Sequence, residues 1–217
     1  MNRLVDIRAA VEDELIFDPA LNASRIAVTT MSGNVTLRGT VPSYLQYLKA
    51  ADAVRRIAGV TSVCNDLAVV LPPGDHREDH ALTAAANTVL TLNVTVPAGV
   101  DAAAHDGSIT LTGTVRYGSQ RDAAERAVAR LIGVRNIIDA IEIRWDAKAV
   151  DAAAAVRSAL DRYALVPEGS DVVVETSGST VTLTGHVRTW AERDAMLNAA
   201  WMTPGVYAVC DELRIVR

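Results

Sequence analysis

Three seven-residue strings, VTLRGTV at 35–41, ITLTGTV at 109–115 and VTLTGHV at 181–187, say nearly the same thing three times. Such a repeat constrains a fold more than composition does, because each copy must be one structural unit of the same design. With Gly39, Gly113 and Gly185 in one column, a second glycine follows at the same interval in every copy: Gly59, Gly133 and Gly205. No gap is needed between the two glycines. The first column recurs after 74 and then 72 residues, leaving almost none of the 217 residues outside three units. The units are expected over 1–71, 77–145 and 147–217.

Each unit reads as helix–strand–strand–helix–strand. A helix-period segment opens it, marked by Ile7, Val11 and Leu15, by Leu82, Ala86 and Leu90, and by Val156 and Leu160. A short strand follows (RIAVTT, VDAAAH or DVVVET), then a turn at SGN, DGS or SGS, then the repeated strand, which together predict a hairpin. The next segment, YLQYLKAADAVRRIAG in the first copy, places Ala50, Ala53, Val54 and Ile57 on one helical stripe. The second glycine is expected to end that helix in a left-handed conformation. A last strand closes the unit. The fold class is therefore α+β: three tandem repeats, each a three-stranded mixed sheet with two helices on one face.

The pattern "V.L.G.V", followed by glycine–valine and "V.N.L.V", resembles the BON domain, named for bacterial osmotically inducible and nodulation proteins. The second copy departs from it at GVRNIIDAI, with Asp139 in the column of Asn65, and the third has Asp211 there. The resemblance implies a binding module rather than an enzyme, linked to phospholipid membranes, osmotic stress and transport, and often exported to the periplasm.

Strand alternation divides the repeated strand into two faces. Val35, Leu37 and Val41 point to the core, and Thr36, Arg38 and Thr40 to the other side. Thr110, Thr112 and Thr114, and then Thr182, Thr184 and His186, repeat that open face. Threonine suits a half-exposed strand by itself. Cys64, Ile138 and Cys210 share one open-face column of the last strand, and an apolar residue recurring there predicts cover by a neighbouring repeat. The two cysteines read as free, buried, small apolar residues rather than a disulfide.

Candidate chemistry is sparse. HREDH, His76 to His80, has metal-like spacing, but Arg77 stands where a zinc-protease helix needs glutamate. It reads as a solvated linker, with Asp75 and its neighbours capping the next helix. His105 and His186 have no sequence-local partner, and no nucleophile elbow, P-loop or dinucleotide fingerprint is present. Asn65, Asp139 and Asp211 read as hydrogen-bonding to nearby backbone, with ligand binding as the alternative. No catalytic residue, metal or cofactor is assigned.

For membranes, Tyr44 and Trp190 share a column where an aromatic can sit at a lipid headgroup. The stretch RYGSQRDAAERAVARLIGVR, with Arg116, Arg121, Arg126, Arg130 and Arg135, is the most basic in the chain and the candidate surface for anionic phospholipid. An ordinary solvated helix with pairs such as Asp122–Arg126 is the alternative. A net charge of −5 argues against nucleic acid as a partner. The N-terminal segment lacks the apolar run of a signal peptide, and no stretch is long enough to span a membrane. As it stands the sequence reads as cytoplasmic, and as periplasmic if an export signal has been removed. The expectation is a non-enzymatic scaffold of the envelope or osmotic-stress response, acting through phospholipid or a partner protein. A cytosolic sensor binding a small ligand or cation between repeats is the alternative. Oligomeric state is left open.

Overall fold

The structure, a computed structural model, describes residues 6–144, 152–160, 171–177, 180–203, 206 and 208–216. The first repeat comprises α1 (Ile7–Phe17), β1 (Ile26–Met31), β2 (Asn34–Val41), α2 (Tyr44–Arg55) and β3 (Ser62–Val69). The second comprises α3 (Asp79–Leu92), β4 (Val100–His105), β5 (Ser108–Val115), α4 (Gly118–Val128) and β6 (Asn136–Ile143). The third comprises α5 (Ala152–Leu160), β7 (Val173–Ser177), β8 (Thr180–Val187), α6 (Trp190–Trp201) and β9 (Ala208–Ile215). The α+β order inferred from the repeats is the order observed.

In each sheet the repeated strand is central: β1–β2–β3, β4–β5–β6 and β7–β8–β9. The hairpin pair is antiparallel, Val28 facing Leu37 and Val174 facing Leu183. The last strand adds in parallel, Thr36 facing Cys64 and Thr182 facing Cys210. A parallel neighbour needs a crossover, which α2 and α6 supply in these two sheets.

The two hairpins described through their turns reverse over consecutive positive-φ residues, Ser32–Gly33 and Asp106–Gly107, the geometry that matches strand twist. Gly178 and Ser179 of the third turn, like Gly205, lie outside the described residues.

The first glycine column has a steric cause. Gly39, Gly113 and Gly185 sit at φ +128°, +131° and +129°. A Cβ there would meet the carbonyl oxygen of Arg25, Gly99 or Asp171, at the start of the neighbouring strand. Only glycine admits both the backbone angle and the close approach.

The second column behaves differently from expectation. Gly59 and Gly133 are left-handed, φ +93° and +101°, but α2 and α4 end earlier, at Arg55 and Val128. The helices tighten first, with i→i+3 bonds from Ile57 N–H to the Val54 carbonyl and from Leu131 N–H to the Val128 carbonyl. The glycines then turn the chain into the last strand.

By packing, the chain divides into two compact units, one of Met1–Ala86, Ala103–Thr110 and Val128–Ile138, the other of Asn87–Ala102, Leu111–Ala127 and Asp139–Arg217. The core of the first repeat lies in the first unit, and joins Val11 and Leu15 of α1 to Val35, Leu37 and Val41 of β2 and Ala50, Ala53 and Val54 of α2. The core of the third lies in the second unit, and joins Val156 and Leu160 to Val181, Leu183, Val187 and Met196. In both, the helical stripe and the inward phase of the central strand meet as their periodicities require.

Candidate functional site

The face of each sheet away from the helices carries the open-face residues in cross-strand rows. Thr29, Thr36 and Cys64 form one row of the first repeat, and Glu175, Thr182 and Cys210 the matching row of the third. Thr36, Thr110 and Thr182 are half-buried between neighbouring strands. Cys64 and Cys210 are free thiols but exposed rather than buried as expected, and Ile138 is 49% exposed. The Cys64 thiol donates to an Asp66 carboxylate oxygen 3.3 Å away, which pushes its pKa up.

His186 stands apart from its threonine counterparts. Its backbone N–H donates to Asp171 Oδ1 at 3.0 Å, and its Nδ1 lies 2.6 Å from Asp171 Oδ2. Those bonds hold the Asp171 carboxyl below the usual carboxylate range. The hairpin brings this acid from just before β7 to the His186 ring. No local spacing in the sequence points to it.

The candidate lipid surface is taken up inside the fold only in part. Tyr44 is buried and stacks on Tyr47, ring centroids 5.4 Å apart, so it does not face a headgroup. Trp190 is half-buried under the Arg193 guanidinium, 4.8 Å from its ring centroid. Arg121 lies 3.3 Å from Asp139 and 4.7 Å from the centroid of the Trp201 ring. Arg126 pairs with Asp122 on its own helix, at 3.9 Å. Arg116 and Arg130 are exposed. The same helix holds Asp122 and Glu125, whose carboxyl pKa values burial pushes up. The basic excess of 116–135 comes from Arg116, Arg130 and Arg135 outside α4; within the helix two arginines are balanced by Asp122 and Glu125.

Asn65, Asp139 and Asp211 serve the backbone. Asn65 Nδ2 donates to the Tyr47 carbonyl at 2.8 Å. Asp139 and Asp211 accept from the N–H two residues on, at Ile141 and Leu213.

A concavity of about 440 Å³ lies within the first unit, where the linker after the first repeat meets the second. His76, Arg77, Glu78, Asp79, His80, Asp106 and Arg135 line it, with Gly107 and Gly133. The Arg77 and Arg135 stems run over Gly133 and Gly107, where a Cβ would come within 3.1 and 2.9 Å of them. Asp79, at the start of α3, accepts from the N–H groups of Asp106 (2.9 Å) and Gly107 (3.1 Å), which lower its pKa. It thus ties α3 to the hairpin turn. Asp75 lies in a separate short turn, Pro73–Asp75, and does not cap α3. His76 precedes the helix that carries His80, so the two do not share a helical face. Among the described residues no three His, Cys, Asp or Glu side chains gather as metal ligands. Nor is any described helix long and apolar enough to cross a membrane.

With the repeated fold and its glycine frame in place, the family follows. The BON domain profile matches residues 4–70, 78–144 and 149–217. The chain belongs to the BON domain family. Among solved structures, these BON repeats are similar to the C-terminal domain of CdsD, the structural protein of the type III secretion system of Chlamydia trachomatis. That match has 15% identity, covers all of both chains and has a TM-score of 0.27. The PrgH periplasmic domain matches at 10% identity over 94% of this chain and 99% of its own, with a TM-score of 0.24. No curated protein matches the BON chain closely enough to count as a relative.

Proposed function

We propose that this BON protein is a non-enzymatic scaffold of the cell envelope that presents one kind of sheet face three times to a membrane or partner protein. The observation that carries this reading is the repeated exposed column, Cys64, Ile138 and Cys210, on three sheets of one design. An apolar or weakly polar residue at the same exposed position suits contact with something outside the chain. BON domains are regarded as binding modules linked to phospholipid and osmotic stress, which supports an envelope role.

Contact with anionic phospholipid would rest on Arg116 and Arg130, exposed arginines of the basic stretch that make no side-chain ion pair among the described residues; Arg135, exposed like them, lines the linker concavity instead. Co-sedimentation with phosphatidylglycerol and phosphatidylcholine vesicles at low salt tests it. The chain is expected to pellet with the anionic vesicles only, and less so as salt screens the charge or after Arg116→Glu with Arg130→Glu. If no protein pellets with anionic vesicles at low salt, the lipid contact is refuted. A protein contact is then tested by cross-linking through Cys64 and Cys210.

A small-ligand sensor is the second reading, favoured by the linker concavity. Arg77 and Arg135 line it without an ion-pair partner among the described residues, beside the carboxylates of Glu78, Asp79 and Asp106, a lining of both charges that suits a small polar ligand with an anionic group reaching the two arginines. Inorganic phosphate or citrate that fills it is expected to raise the melting temperature. No shift at millimolar concentration refutes this reading.

A further inference from the structure

Three columns of the repeat build one small stack at the start of the crossover helix. The first holds Tyr44, Gly118 and Trp190, the second Tyr47, Arg121 and Arg193, and the third Asn65, Asp139 and Asp211. In the first repeat Tyr44 stacks on Tyr47, which Asn65 holds through its backbone carbonyl. In the third, Trp190 lies under Arg193, which pairs with Asp211 at 2.7 Å. The second repeat keeps the cation and the carboxylate but has glycine in the aromatic column.

An aromatic ring is nevertheless present there. It belongs to Trp201, the last residue of α6 in the third repeat, and both residues lie within the second compact unit. The Arg121 guanidinium lies 4.7 Å from the Trp201 ring centroid and 3.3 Å from Asp139, so aromatic, cation and carboxylate are again assembled. A Cβ on Gly118 would stand 2.6 Å from Trp201 Cδ2. Gly118 has no left-handed backbone angle to explain a glycine. At the first position of a helix glycine is otherwise a poor choice, because it adds backbone freedom and no contact. Space for the indole is the physical reason for it.

We propose that Gly118, Arg121 and Asp139 form an indole-accepting socket on the second repeat, that its partner is Trp201 of the third, and that this contact couples the two repeats energetically. The third repeat supplies the aromatic that the second lacks. Neither the family match nor the open-face reading requires this coupling, and it stands whether or not those faces bind lipid.

Hydrogen exchange of the full chain, read peptide by peptide, tests it. In Trp201→Ala the amides of α4 and β6 are expected to exchange about tenfold faster or more, although the substitution lies in the other repeat. Trp201→Phe, which keeps a ring for Arg121, should recover part of the protection. The reciprocal Gly118→Ala should expel the indole, shift the tryptophan emission to the red and speed exchange at the C-terminal end of α6. Protection of α4 and β6 unchanged in Trp201→Ala overturns the proposal. Should Trp201→Ala unfold the third repeat outright, Gly118→Ala decides: an effect confined to the second repeat refutes the coupling, and one that reaches α6 supports it.

Discussion

Gly39→Ala should damage the first repeat through two separable causes. At φ +128° an alanine is strained, a cost on the order of 1–3 kcal/mol. Its Cβ would also overlap the Arg25 carbonyl, a backbone atom that can retreat only by pulling β1 from β2, for roughly 1–3 kcal/mol more. Because relaxation relieves part of both, the expected total is about 2–4 kcal/mol. That amounts to about 30- to 1000-fold less protection of the β1 and β2 amides in hydrogen exchange. Two other glycines isolate the terms. Gly99 has φ +99° but nothing within 4 Å of its would-be Cβ, so Gly99→Ala should cost only the strain, about 1–2 kcal/mol. Gly74 has neither, so Gly74→Ala should be near neutral, or up to about 1 kcal/mol stabilising through the unfolded chain. Should Gly39→Ala prove as mild as Gly74→Ala, the steric account of the repeated glycine is wrong.

Both cysteines should react with a maleimide in the native protein, and Asp66→Asn should quicken Cys64 about two- to tenfold at pH 7, because the carboxylate that raises its pKa is gone. Mass spectrometry of the labelled peptides reads this, and native thiols as slow as a buried cysteine would show the open faces to be covered. Glu125 has its carboxyl pKa raised by burial and by Asp139 and Asp122, so the folded chain holds that proton more tightly than the unfolded one. The resulting stability is full below the unfolded pKa of about 4.3 and lost as pH rises through the folded value. Glu125→Gln should therefore stabilise the chain at pH 7 by less than about 1 kcal/mol, screening included, and have no effect near pH 3.5 in urea titrations. Asp171 shows the opposite sign: its lowered pKa adds stability above the unfolded value of about 3.9, lost as pH falls through the folded one. In His186→Ala, carbon-detected NMR should find the Asp171 titration moved up towards the ordinary carboxylate range, and an unmoved midpoint would remove His186 as the cause.

The fold was legible because its signal is local and written three times. Val35, Leu37 and Val41 alternate, Ala50, Ala53 and Val54 fall on a stripe, and each prediction needs only neighbours within one unit. Gly59 misled on the helix end because a left-handed glycine marks where the chain turns, and the helix had already tightened at Arg55. The candidate surface was less legible because its residues answer to distant partners. Arg121 reads as solvated charge until Trp201, eighty positions on, is placed against it. Tyr44 reads as an interfacial aromatic because periodicity is weakest at a helix start, where one turn cannot say which side is inward; Tyr47 settles it. Asp171 finds His186 only through the register of a hairpin whose turn the sequence marks but whose offset it does not.

The parallel seam between β2 and β3 sets an order in time. A hairpin closes within about 1–10 μs, whereas a ribosome adds about 5–20 residues per second. After β1 and β2 have emerged, roughly 1–6 s pass before the crossover helix and β3 are made. During that interval one side of the VTLRGTV strand is an open template, and ITLTGTV and VTLTGHV pass through the same state later. Three near-identical templates in one chain invite exchange of last strands between repeats, the misassembly typical of tandem domains. Synthesis in sequence keeps them apart, since each template can be closed by its own last strand before the next is exposed. Refolding from denaturant removes that separation and presents all three at once.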